Sequence, residues 1–354
     1  MEKLMKLRNR FEELGIDGML ITDPYNRRYL TDFTGTAGTV LVSKSEAFLL
    51  VDFRYTSQAN AQVTNFTVKE IDRAIIYKEI STLAESLGIN KLGFEQQHQS
   101  YLYYSQLSKE IKAELVPVSN VVEKLRMIKN ESEMAILKKA AEIADVAFEH
   151  ILTFIQPGRT EIEIANELEF HMRKLGATSS SFDMIVASGV RSALPHGVAS
   201  EKVIEQGDMV TLDFGAYFQG YCSDMTRTFA VGKPDPKLKD IYSIVHAALE
   251  NALSGIKAGM TGKEADALTR DLISEKGYGD YYGHGMGHGI GLYIHEDIFM
   301  NPTCELLVEE GMVLTVEPGI YIPGLGGVRI EDDIIVKKDG IEIITKSPKE
   351  LIIL

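Results

Sequence analysis

Leu4, Leu7, Phe11 and Leu14 recur at helical spacing among charged neighbours, so the chain is expected to open with an amphipathic helix over residues 1–15. Short apolar runs follow at Met19 to Thr22, Thr39 to Ser43, Ala47 to Asp52, Lys91 to Glu95 and Glu114 to Val118, interspersed with amphipathic segments such as Ile80 to Leu87. Strand-length runs alternating with helical patterns predict an α/β unit. Near Val121 the rhythm changes. Asn130 and Glu133 stand at N-cap and N3 spacing and open a helical period that runs through Ala140 and Phe148 to about Phe154. The expected domains are therefore 1–122 and 123–354.

The second region repeats itself. Ile155, Gly158, Thr160 and Glu163 recur as Ile256, Gly259, Thr261 and Glu264, each 101 residues later, and both Thr/Glu pairs suit a capping box opening a helix after a glycine turn. Glu149 and Leu152 correspond in the same way to Glu250 and Leu253. Further on, Gly207, Thr211, Asp213 and Gly215 recur as Gly311, Thr315, Glu317 and Gly319 at an offset of 104. Two similar helix-helix-sheet halves about a pseudo-twofold axis are the economical reading, with the strands of Asp213 and Glu317 facing each other across it.

Composition narrows the class. Hydrophobic residues make up 45% and charged residues 25% of 354, with no low-complexity run, as in an average folded globular chain of about two domains. Asp plus Glu number 51 against 37 Lys plus Arg, and a formal charge of -14 would repel a phosphate backbone, so nucleic acid is not an expected partner. No window carries the run of about 18 apolar residues that a spanning helix needs, and no signal peptide or membrane association is expected. With only Cys222 and Cys304, disulfides are not expected and a reducing, cytoplasmic setting is.

Carboxylates carry the candidate chemistry. Asp213 and Asp224 flank a turn near Gly220, and Glu317 and Glu331 lie either side of Pro323 and Gly324, so two hairpins would each bring two carboxylates onto one face. Four such groups cannot all ionise side by side unaided, because like charges at close range raise one another's pKa. Divalent cations resolve the conflict, and two of them about 3.5 to 4 Å apart are a standard hydrolytic arrangement. An imidazole would come from the glycine-interleaved segment 282–296, which holds His284, His288 and His295. Oxygen-rich ligation with one imidazole favours manganese, cobalt or zinc.

These blocks, together with the stretch from Leu194 to Gly197 and that from Val328 to Asp333, closely resemble the pita-bread metallopeptidases, specifically the proline dipeptidases and Xaa-Pro aminopeptidases. The likeness covers nearly the whole chain. It implies an α+β fold: a pita-bread catalytic domain with a pseudo-twofold internal repeat, preceded by a smaller α/β creatinase-like domain. It implies two divalent metal ions, manganese foremost. Asp213 would hold one ion, His288 and Glu317 the other, and Asp224 and Glu331 would bridge both. By the same resemblance His196 and His295 contact substrate and the tetrahedral intermediate, Glu317 moves a proton as general acid or base, and Arg329 and Tyr321 support the site. His284 would line the substrate pocket, although spacing alone leaves open that it is a ligand. Small proline-containing peptides are the implied substrates, and a homodimer the implied assembly.

Blander readings stand beside these. Arg329 shares a strand face with Glu331 and could simply hold that carboxylate in a salt bridge. Tyr321 could be packing alone, and Phe182, Phe214 and Phe229 could line a proline-sized pocket or belong to the core. Methionine aminopeptidases share the fold but lack the added N-terminal domain, whereas metal-free creatinase-like hydrolases and non-enzymatic binding proteins lose ligand positions that are intact here.

Overall fold

The computed structural model describes all residues, Met1–Leu354. The chain forms two compact units, Met1–Arg126 and Met127–Leu354. The division falls within the helix Val121–Met127, a few residues past the position expected from the sequence.

The first unit is built on a mixed six-stranded sheet in the spatial order Thr67–Glu70, Ala47–Val51, Thr39–Ser43, Gly18–Ile21, Lys91–Glu95, Glu114–Val118. Five of these strands coincide with the apolar runs in the sequence. The sixth, Thr67–Glu70, was not legible: it is an edge strand with no buried residue, so it carries no apolar signature. The opening helix is interrupted, running over Glu2–Arg8 and again over Phe11–Leu14. Leu4, Leu7 and Phe11 are buried on the shared apolar side.

In the second unit the repeat becomes geometry. Helices Glu131–Phe154 and Glu161–Lys174 in one half correspond to Pro236–Gly255 and Gly262–Glu275 in the other. All three expected capping boxes form, at Asn130/Glu133, Thr160/Glu163 and Thr261/Glu264, each satisfying two amides that the first helical turn leaves free. Each helix pair covers its own core, one around Phe148, Phe214 and Phe229, the other around Leu249, Met286 and Ile334. Under them lie matching strand triplets. Met209–Phe214 sits between Ile185–Ser188 and Met225–Ala230, just as Val313–Val316 sits between Gly287–Gly289 and Asp332–Lys337.

The halves are joined where Met225–Ala230 meets the segment leading to Glu331. The Glu331 amide donates to the Thr226 carbonyl at 3.0 Å, and the Arg329 amide to Thr228 Oγ1 at 3.2 Å. The seam is thus lined by the strands after Asp224 and before Glu331, while Asp213 is reached across it through the Arg329 side chain. Alternating glycines allow close strand contact beside this seam: a Cβ on Gly287 would lie 2.1 Å from the Thr315 carbonyl oxygen.

Candidate metal centre

Both hairpins form, with different registers. Asp213 pairs with Thr226, and Asp224 stands two residues before that partner, so the two carboxylates are diagonal neighbours. The chain reverses at Gln219 and Gly220, with φ of 48° and 89°, just beyond the midpoint of the two aspartates, and that displacement makes the pair diagonal. In the other half the ladder runs from Val316 opposite Asp332 to Ile322 opposite Gly326, which sets Glu317 directly across from Glu331. Its turn is at Gly324, φ 79°, where the sequence placed it.

The hairpins converge. Asp213, Asp224 and Glu331 each present an oxygen within 4.8 Å of the other two, and all three residues are buried. Asp213 Oδ1, Asp224 Oδ1 and Glu331 Oε1 have no hydrogen-bond partner, a costly state for buried carboxylates that a cation among them would end. Burial first, then Glu331 and Asp213, pushes the Asp224 carboxyl well above its usual range; burial, then Glu317 and Asp213, does the same to Glu331. Burial raises Glu317 to about 7 against the pull of Arg329. Without a cation, these groups keep their protons to higher pH than ordinary carboxylates do.

The imidazoles separate by tautomer. His288 Nδ1 lies 3.0 Å from the Gly289 carbonyl, which fixes the ring hydrogen on that nitrogen, and burial lowers its pKa to about 4. Its Nε2 lone pair therefore faces Glu317 Oε1 at 3.5 Å and Asp224 Oδ2 at 3.8 Å. His284 has the same internal bond, Nδ1 to the Gly285 carbonyl at 2.8 Å, but its Nε2 already meets the Tyr321 hydroxyl at 2.9 Å. Chemistry thus makes His288 a free ligand atom and His284 a committed one, a choice that spacing left open.

Arg329 binds Asp213 rather than Glu331, with Nη2 2.6 Å from Oδ2. Its remaining donors go to Thr226 Oγ1, the Pro195 carbonyl and the Tyr321 hydroxyl. Tyr321, a supporting residue by the resemblance, is buried behind the cavity wall, where its hydroxyl accepts from Arg329 Nη1 and meets His284 Nε2, a contact that positions both side chains.

Several partners were missed in the sequence. Thr226 donates to Glu331 Oε2 at 2.5 Å, Thr315 to Glu317 Oε1 at 3.2 Å, and Asp333 Oδ2 accepts the Asp224 amide at 2.9 Å. The period-two alternation of a strand would have found them, since Thr226 is two residues from Asp224, Thr315 two from Glu317 and Asp333 two from Glu331.

The centre opens into a cavity of about 430 Å³. His196, His284, His288, His295, Asp213, Asp224, Glu317, Arg329 and Glu331 all line it, with Phe182, Ile185, Val198, Ile294 and Phe299 as the apolar walls. Of the three phenylalanines weighed for that pocket, Phe182 is there, while Phe214 and Phe229 belong to the core.

The family model described as metallopeptidase family M24 matches residues 135–338, and that described as the creatinase/prolidase N-terminal domain matches residues 3–128. A peptidase of Bacillus subtilis is 59% identical, over 99% of this chain and 100% of its own. The solved Xaa-Pro dipeptidase from Bacillus anthracis is 62% identical with a TM-score of 0.99, covering 100% of this chain and 99% of that one. The X-Pro aminopeptidase from Thermotoga maritima is 40% identical with a TM-score of 0.91, covering 98% and 100%.

Proposed function

Because the chain belongs to metallopeptidase family M24, we propose that it hydrolyses the bond between an N-terminal residue and proline, acting best on Xaa-Pro dipeptides. The observation that carries this reading is the set of three unpartnered, buried carboxylate oxygens on Asp213, Asp224 and Glu331, adjoined by the free Nε2 of His288 and by Glu317. Asp213, Asp224 and Glu331 would hold one divalent ion, and Asp224, His288, Glu317 and Glu331 the other, manganese suiting the oxygen-rich set with one imidazole. Bound there, the ions supply Lewis acidity and a water acidified toward neutrality.

The chain's own residues do the rest. Arg329 fixes Asp213, and Thr226 and Thr315 fix Glu331 and Glu317, so the carboxylates are oriented before substrate arrives. His196 and His295, exposed on the cavity, donate to the carbonyl oxygen as negative charge develops on it. Glu317 takes the proton of the attacking water and returns it to the leaving nitrogen. A proline nitrogen is tertiary, so the amine cannot leave until it is protonated. Phe182, Ile185, Val198 and Phe299 provide the apolar surface for the ring.

One observation favours a second reading, release of the first residue from longer peptides. Arg329 is the only Arg or Lys lining the cavity, and all three of its nitrogens are already bonded, which leaves imidazoles and Asn301 to meet a dipeptide's terminal carboxylate. Comparing an Xaa-Pro dipeptide with an Xaa-Pro tripeptide, with manganese supplied, decides between them. The dipeptide should show the higher kcat/KM and chelation should abolish turnover. A tripeptide preference installs the second reading, and hydrolysis of neither sinks both.

A further inference from the structure

Lys129 and Glu296 form an ion pair outside the metal centre. Nζ lies 3.1 Å from Oε2, and the two side chains are 2% and 5% exposed. Desolvating two charges is expensive, and an apolar pair commonly holds a fold as well, so stability alone is a weak account of them. Their position suggests a better one. Glu296 directly follows His295, and its Oε1 accepts the Tyr293 amide at 3.2 Å, so the carboxylate closes the loop on which His295 sits. Gly291 leaves the room: a Cβ there would come within 2.7 Å of Glu296 Oε2. The loop's near end is tied by the Cys222 amide, 2.8 Å from the Gly291 carbonyl. Lys129 comes from outside the loop, its own amide bonded to the Gly311 carbonyl at 2.9 Å. His295 lies between Gly291 and Glu296 in the chain, and its ring is on the cavity wall, edge-on to His288 with centroids 4.6 Å apart.

We propose that the Lys129–Glu296 pair is a positioning device: it clamps the loop 291–295 so that the His295 imidazole stays directed at the substrate. The substrate part rests on the peptidase reading above; the clamp itself does not.

The test makes Glu296→Ala and Lys129→Met, each in the natural chain and in a His295→Ala background, and follows kcat with an Xaa-Pro dipeptide, bound manganese, and amide hydrogen exchange over residues 290–296. Each substitution should lower kcat about tenfold with metal stoichiometry unchanged, and less than about twofold once His295 is absent, because no imidazole remains to be misplaced. Exchange of the Tyr293 amide should quicken in both variants. Glu296→Gln, which keeps an acceptor for that amide, should recover part of the loss. Equal losses with and without His295, or exchange unaltered from the natural chain, would overturn the proposal. If the natural protein cleaves no Xaa-Pro peptide, the peptidase reading fails separately and the exchange data still decide on the clamp.

Discussion

At the scale of single residues, the centre trades stability for reactivity, and Asp224 shows it most directly. Its carboxyl is held well above the ordinary range by burial and by Glu331. For a group whose pKa is raised on folding, stability is fully present below the unfolded pKa, here 3.8, and is lost as pH rises through the folded value. Asp224→Asn cannot ionise, so it avoids that loss. Metal-free Asp224→Asn is expected to melt higher than metal-free natural protein at pH 7 but not at pH 3.5, while its peptidase activity with added metal falls at least about a hundredfold. Paired melting curves and kcat measurements check both halves. Tyr321→Phe is gentler: it removes one hydroxyl between Arg329 and His284, and a loss of roughly tenfold in kcat/KM with metal binding intact is expected.

At the scale of elements, the site depends on how closely strands can approach. Gly287→Ala would drive a methyl into the Thr315 backbone; His288 directly follows that glycine, and Thr315 Oγ1 donates to Glu317, two residues further on. The expected outcome is loss of one bound metal ion per chain, measured by elemental analysis of purified protein, with helix content by circular dichroism retained. The capping boxes behave differently. Thr261→Ala should cost about 1 kcal/mol by urea unfolding and leave kcat unchanged at saturating metal. These elements also differ in how openly the sequence announces them. Thr160 and Thr261 were visible because a capping box is a local pattern of fixed spacing. Thr67–Glu70 was invisible because an exposed edge strand needs only a neighbour, and neighbours are not written locally.

At the scale of the whole molecule, the carboxylate cluster couples folding to metal. Glu317, Glu331, Asp224 and Asp333 all have raised pKa values, burial being the largest cause in each, so metal-free protein should lose stability progressively as pH climbs from the ordinary carboxylate range through about 7. Metal-loaded protein should show a much flatter profile over the same range, and denaturant midpoints with and without chelator would expose the difference. The pseudo-twofold repeat is also broken at one ligand, since His288 serves only one of the two proposed sites. Calorimetric titration is therefore expected to resolve two unequal affinities; two indistinguishable sites would count against the assignment.

The sequence by itself determined the repeat, the three capped helix starts, both carboxylate hairpins and, through resemblance, the family. All of these rest on spacing within a short stretch or on the offset between two such stretches. Only the tertiary structure decided that Arg329 turns to Asp213 rather than Glu331, that Tyr321 stands behind the cavity, and that His288 rather than His284 keeps a free lone pair. Those outcomes depend on which side chains from distant strands arrive at the same buried point, where each polar atom must take the partner that close packing leaves within reach.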